Sequence, residues 1–226
     1  MSDLTCVYYT CNRIPERFAN SARTNLAEAA RDIPIISVSH KPIEFGENIV
    51  VDLPIHHLSI YRQALIGAKA ATTKYAAFCE DDVLYSPEHF QHRPSPGKFG
   101  YNLGYWMLFT WGIPVFTQKQ GSRINMNGLI CERELFIEAM EERFKKWPDD
   151  TKINLGLWSE PSKYEKHLGV RVREKETFYT NPPNIVFSHQ TALSFLNLGT
   201  RKKQGDIRAL EVPYWGKASD VIKLYG

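Results

Sequence analysis

The sequence predicts an α/β fold: a mostly parallel central sheet with helices on both faces. Three observations lead there. Apolar, strand-like runs alternate with segments of helical period from Leu4 to Glu80. The chain has 226 residues, 43% hydrophobic and 23% charged, enough to build a core. Its 14 Gly and 13 Pro are scattered and no repeat is found, which predicts one unit over 1–226.

Leu4 to Tyr9 has the β-branched and aromatic character of a buried strand, closed by a polar turn at Thr10-Cys11-Asn12-Arg13. Pro15 opens a helix to Ala30, in which Phe18, Ala22, Leu26 and Ala29 recur at spacings of three and four. Ile33–Val38 reads as a second strand and Ile49–Leu53 as a short apolar run. From His57 to Ala71, Leu58, Tyr61, Leu65 and Ala68 share one helical face. The strand Tyr75–Cys79 then runs straight into Glu80-Asp81-Asp82.

Beyond this point the pattern is less regular. Gly100–Thr110 and Ile113–Gln118 look like strands, followed by a turn at 121–123 and a strand at Gly128–Cys131. Glu134–Lys146 is a helix with Leu135, Ile137, Met140 and Phe144 apolar, and Pro161–Leu168 a shorter one capped by Gly169. Val170–Thr177 alternates like a strand. Arg201–Gly205 reads as a mobile loop, with Trp215 and Val221–Tyr225 able to pack back onto the body.

Composition excludes some functions. Lys plus Arg number 28 against 25 Asp plus Glu, a formal charge of +3 with a pI near 8.6, too mild to name nucleic acid as a partner. Four scattered cysteines, with no CxxC pair, read as reduced thiols. No apolar run approaches the roughly 18 residues of a membrane span, and the N-terminus has no signal-peptide pattern, so a soluble cytosolic protein is expected.

The chemistry concentrates at residues 80–82. Three consecutive carboxylates at the carboxyl end of an apolar strand repel one another unless a cation or strong donors neutralise them. In a parallel sheet this is also where ligands gather. Oxygen ligands of this kind suit Mg²⁺ or Mn²⁺.

Taken in order, these features resemble the nucleotide-sugar-dependent glycosyltransferases of GT-A fold, a Rossmann-like architecture, in their family 2 form. Val7-Tyr8-Tyr9-Thr10-Cys11-Asn12-Arg13 looks like their first strand and nucleotide-side turn, and Ile60–Leu65 with Ala68–Ala71 resembles the helix before their metal strand. Glu80-Asp81-Asp82 falls where the family carries its DXD motif. Gly128–Phe136 is similar to the strand and helix start of the acceptor side, Leu157-Trp158-Ser159-Glu160 to the segment bearing the catalytic carboxylate, and Ile185–His189 to the late strand whose His completes the metal site.

The resemblance implies a transferase moving a hexosyl or pentosyl group from a nucleotide sugar to an acceptor hydroxyl. It implies a donor-binding half over 1–90, an acceptor half over 91–190, and a tail or lid over 191–226. Thr10, Asn12, Arg13, Arg62, Glu80 and Asp81 would hold the donor; Asp82, Glu80 and His189 would hold Mn²⁺ or Mg²⁺; Glu160 would be the base, with Asp149 and Asp150 the alternatives. One departure stands out: Ser37-Val38-Ser39-His40 occupies the place where the family often supplies an Asp to the base.

The acceptors this suggests are a bacterial glycan or lipid precursor, or a hydroxymethylated pyrimidine in phage DNA. The second would use Arg123, Arg201, Lys202, Lys203 and Arg208 for phosphates and some of the 28 aromatic residues for a flipped base. The same basic stretch could instead fold over the diphosphate, with Trp215 shielding the sugar. Two rivals remain, a nucleotidyltransferase, though no Gly-rich phosphate loop follows the first strand, and a non-catalytic nucleotide-sugar binder.

Overall fold

The structure, a computed structural model, describes residues 2–119, 123–149, 157–192 and 203–225. Its centre is a seven-stranded sheet built from β1 (Leu4–Thr10), β2 (Ile35–Ser39), β3 (Glu47–Val50), β4 (Tyr75–Glu80), β6 (Lys98–Asn102), β9 (Leu129–Glu132) and β10 (Glu174–Phe178). The order across it is β10-β6-β9-β4-β1-β2-β3. Only β9 runs against the rest, antiparallel to both β4 and β6.

Helices cover both faces, as the sequence predicts. Helix α1 (Glu16–Ala30) packs Leu26, Ala29 and Ala30 against Leu4, Cys6 and Tyr8. On the other face α2 (His57–Ala70) and α3 (Arg133–Lys146) bury Leu58, Tyr61, Ala64, Phe136 and Met140 over Val7, Phe78 and Phe99. Helix α2 lies close because Gly67 has no side chain: a Cβ there would stand 2.4 Å from Val7 Cγ1.

A second sheet, ordered β12-β8-β7-β11-β5, joins β5 (Val83–Leu84), β7 (Tyr105–Phe109), β8 (Phe116–Gln118), β11 (Asn184–Ser188) and β12 (Ile207–Ala209). It packs Leu84, Leu108, Phe116 and Phe187 against the outer side of α1 through Phe18. A short hairpin, β13 (Glu211–Val212) with β14 (Gly216–Lys217), and the one-turn helix α5 (Ala218–Val221) complete that layer.

Several expectations are corrected. The strand expected over 100–110 is two strands in different sheets. Asn102 ends the first by accepting the Gly104 amide (2.7 Å), and Gly104 lies so close to Thr180 that a Cβ would meet its nitrogen at 2.7 Å. The helix expected over 161–168 is only α4 (Glu165–Leu168), because Ser162 and Tyr164 take left-handed φ of 65° and 57°. The strand expected from Ile113 begins at Phe116, past Pro114, and that expected from Val170 begins at Glu174.

In the tail, Trp215 donates from its indole to the Pro183 carbonyl (2.6 Å) and packs on the second sheet, so it does not shield the cavity described below. Arg201 and Lys202 lie outside the described residues. No helix among the described residues is long and apolar enough to cross a membrane.

One buried group makes stability pH-dependent. His89 is enclosed by Tyr85, Phe90 and Phe178, and Asn102 Nδ2 lies 3.1 Å from its Nδ1. Burial, then the neighbouring His92, holds its pKa down at about 3 against the usual 6.5. Unfolding releases a ring that protonates below 6.5, so its stabilising share is intact above that pH and is lost as pH falls towards 3. About 2 kcal/mol of this share should be gone at pH 5 relative to pH 7.5, and His89→Gln should remove that part of the pH dependence in urea titrations. A wild-type slope equal to the variant's would show that the ring protonates in the folded state.

Candidate active site

The acidic run is placed by strand register. β1 pairs parallel with β4, Tyr9 beside Glu80, so the next residues, Thr10 and Asp81, are neighbours and the Thr10 hydroxyl donates to Asp81. The chain then leaves the first sheet through β5, which pairs antiparallel with β11. The Phe187 amide donates to the Asp82 carbonyl (2.8 Å), which brings His189 alongside, its Nε2 3.4 Å from Asp82 Oδ2. Nδ1 of the same ring lies 2.8 Å from Thr191 Oγ1.

Glu80 is oriented by residues that sequence reading passed over. The Tyr9 hydroxyl donates to its Oε1 (3.0 Å) and Asn127 Nδ2 to its Oε2 (2.7 Å). Burial, then the Glu80 charge, keeps the Tyr9 phenol far above its ordinary pKa and therefore protonated as a donor. Asn127 arrives because β9 is reversed: continuing its register with β4 sets Asn127 opposite Glu80. The signal in the sequence was a polar Asn just ahead of an apolar strand.

Asp81 and Asp82 carry the electrostatic load. Burial, and then the charge of Asp82, pushes the Asp81 pKa up to about 6. Asp82 Oδ1 is buried and takes no hydrogen bond among the described residues. Asp82 and His189 together present a carboxylate and an imidazole, donor types that Mn²⁺ or Mg²⁺ accepts. Among the described residues no three His, Cys, Asp or Glu side chains converge as a ready ligand set. Of the expected trio, Asp82 and His189 meet; Glu80, with both oxygens engaged by Tyr9 and Asn127, does not join them.

These groups open on one cavity of about 310 Å³. Thr10, Arg13, Glu80, Asp81, Asp82, Glu160 and His189 all line it. Glu160 is delivered by the turn after Trp158, which is buried against Tyr61 and Phe144. Its Oε2 accepts from the Ser159 hydroxyl and from Lys163 Nζ (3.4 Å). Tyr61, Tyr105 and Met107 add apolar wall, and His57, whose pKa burial lowers, faces the same space.

Two expected donor residues lie elsewhere. Arg62 turns to α3, its guanidinium 4.7 Å from the centre of the Phe144 ring and donating to the Pro148 carbonyl, because its helix face looks away from the cavity. Asn12 does not line the cavity; with φ of 53° it turns its Oδ1 to the His40 and Lys41 amides, both at 2.9 Å, tying the end of β1 to the end of β2. Ser37 and Ser39 likewise serve the backbone, their hydroxyls donating to the carbonyls of Phe45 and Lys41 at 2.7 Å each. Asp149 is exposed and off the cavity, and Asp150 lies outside the described residues.

No family model matches this chain, and no curated protein matches it. Among solved structures it is similar to a glycosyltransferase involved in glycosylation of the major capsid of PBCV-1, at TM-score 0.48 and 11% identity over 81% of this chain and 91% of that one. It is also similar to a nucleotidyl transferase from Methanothermobacter thermautotroptrophicus, at TM-score 0.41 and 14% identity over 76% and 86% of the two chains. The bifunctional IspDF from Campylobacter jejuni gives TM-score 0.41 and 10% identity over 79% of this chain and 50% of that one.

Proposed function

We propose that this chain is a metal-dependent glycosyltransferase that moves a hexosyl or pentosyl group from a nucleotide-sugar donor to an acceptor hydroxyl. The observation that carries the reading is the meeting, on one cavity at the carboxyl ends of β1 and β4, of the Asp82–His189 pair and the neighbouring Asp81 with Arg13 and with a separately borne carboxylate, Glu160. A nucleotidyltransferase needs the first part of that arrangement; sugar transfer to a hydroxyl also gives Glu160 a task.

Asp82 and His189, with Asp81 beside them, are the residues that would hold Mn²⁺ or Mg²⁺. When bound, the ion supplies Lewis-acid neutralisation of charge on the diphosphate. Arg13 faces the cavity as a phosphate partner, and Glu80, fixed by Tyr9 and Asn127, presents a carboxylate for a donor hydroxyl. Glu160 takes the acceptor's proton at Oε1, the oxygen not held by Ser159 and Lys163. Ile14, Ile60, Tyr61 and Met107 keep water from the reacting centre.

The acceptor carries a hydroxyl, on a glycan or lipid precursor or on a hydroxymethylated pyrimidine in DNA. Of the basic residues invoked for DNA, Arg123 lines the cavity whereas Lys203 and Arg208 do not. Salt-sensitive binding to duplex DNA would favour the nucleic-acid acceptor.

The test is incubation with a panel of nucleotide sugars and Mn²⁺. Release of nucleoside diphosphate is the expected result. Release of pyrophosphate from a nucleoside triphosphate and a sugar phosphate would replace this reading with a nucleotidyltransferase. Binding without either product would make the chain a nucleotide-sugar binder.

A further inference from the structure

Behind the cavity wall, α3 carries a fully buried arginine. Arg143 Nη1 donates to the Ser159 carbonyl (2.5 Å), and Nη2 to the carbonyls of Glu160 (3.2 Å) and Lys163 (3.3 Å). Its charge partner, Glu165 at 3.4 Å, is equally buried. That carboxylate accepts the Ser162 amide (3.0 Å) and the Arg173 amide (2.6 Å). Most hydrogen bonds of the pair therefore end on the backbone of the turn that bears Glu160.

That turn takes a conformation its residues do not favour: Ser162 and Tyr164 are left-handed. A buried ion pair is a weak source of stability, since well-packed apolar side chains often do as well or better. The other core-facing residues of α3, Phe136, Ala139 and Met140, are apolar. What an arginine adds here is a rigid planar fork with donors at fixed positions, able to hold several carbonyls at once; an ammonium group cannot span them.

We propose that Arg143, with Glu165 behind it, is a positioning residue that fixes the Ser159–Lys163 backbone and so sets where the Glu160 carboxylate stands in the cavity. The inference rests on Glu160 acting as the base. It concerns a residue that does not line the cavity and that no feature of the sequence marked.

The experiment compares the wild-type full chain, Arg143→Lys, Glu160→Gln and the double variant, using the nucleotide sugar that the panel identifies. Arg143→Lys should lower kcat by about tenfold or more, leave donor KM within about twofold, and add nothing to the loss already present in Glu160→Gln. An unchanged kcat, or an equal further loss in the Glu160→Gln background, overturns the proposal. If Arg143→Lys does not fold, Glu165→Gln keeps the carbonyl contacts, loosens the pair, and is held to the same pattern.

A second readout needs no turnover. In protein labelled with ¹³C-glutamate, the Glu160 Cδ signal, identified by its loss in Glu160→Gln, should shift in Arg143→Lys. An unmoved signal overturns the positioning role. A moved signal in a protein that turns over no nucleotide sugar sinks the glycosyltransferase reading and leaves the positioning intact.

Discussion

Asp82→Asn is expected to abolish metal-dependent release of nucleoside diphosphate, by about 10²–10³-fold or more. The carboxylate is buried, pairs with His189 and has one oxygen without a partner among the described residues. An amide keeps the shape and removes the charge that a cation requires. The fold should survive, because the bond from the Phe187 amide reaches the Asp82 backbone carbonyl. Removing one of two crowded carboxylates also relieves repulsion, so the thermal midpoint should hold or rise while the Mn²⁺ dependence of turnover disappears. Full activity across a Mn²⁺ titration would take Asp82 out of the site.

The second large effect is on Glu160. Glu160→Gln should lower kcat by roughly 10²–10⁴-fold, the usual weight of general-base assistance, with nucleotide affinity in the presence of Mn²⁺ unchanged by calorimetry. The amide oxygen can still accept from Ser159 and Lys163, so the turn keeps its shape and the loss reports proton transfer alone. Normal turnover would move the base to another group on the cavity. His57 is the candidate the structure supplies, since its depressed pKa leaves it neutral at pH 7.

Much of the sheet was legible because the first part of the chain obeys simple periods. The strands at Leu4, Ile35 and Tyr75 and the helices at Glu16 and His57 match apolar runs and helical spacing closely. What failed were places where a single residue ends an element. Asn102 and Gly104 split one apparent strand between two sheets, and left-handed Ser162 and Tyr164 shorten a helix to its last turn. Periodicity carries no trace of either event.

The placement of the candidate site was legible in part. Asp81, Asp82, His189, Arg13 and Glu160 come together, because each follows or adjoins a strand or turn that pattern could locate. Arg62 was misplaced because sequence gives a helix's apolar face but not which polar residue turns towards a neighbouring helix. Tyr9, Asn127 and Arg143 were missed for a common reason: their roles consist of hydrogen bonds across 71, 47 and 16–22 residues of chain, which only a fold brings together.

The single reversed strand has a consequence for how such a site can diversify. The carboxyl ends of β1 and β4 supply Thr10, Arg13 and the acidic run, whereas the segment entering β9 supplies Arg123, Ile124 and Asn127 to the same cavity. Because β9 points the other way, its entry and not its exit faces the cavity, and through Asn127 that entry is tied to Glu80 at the end of β4 (2.7 Å). The two walls are thus coupled: a change in the segment entering β9 is felt by the carboxylate at the end of β4.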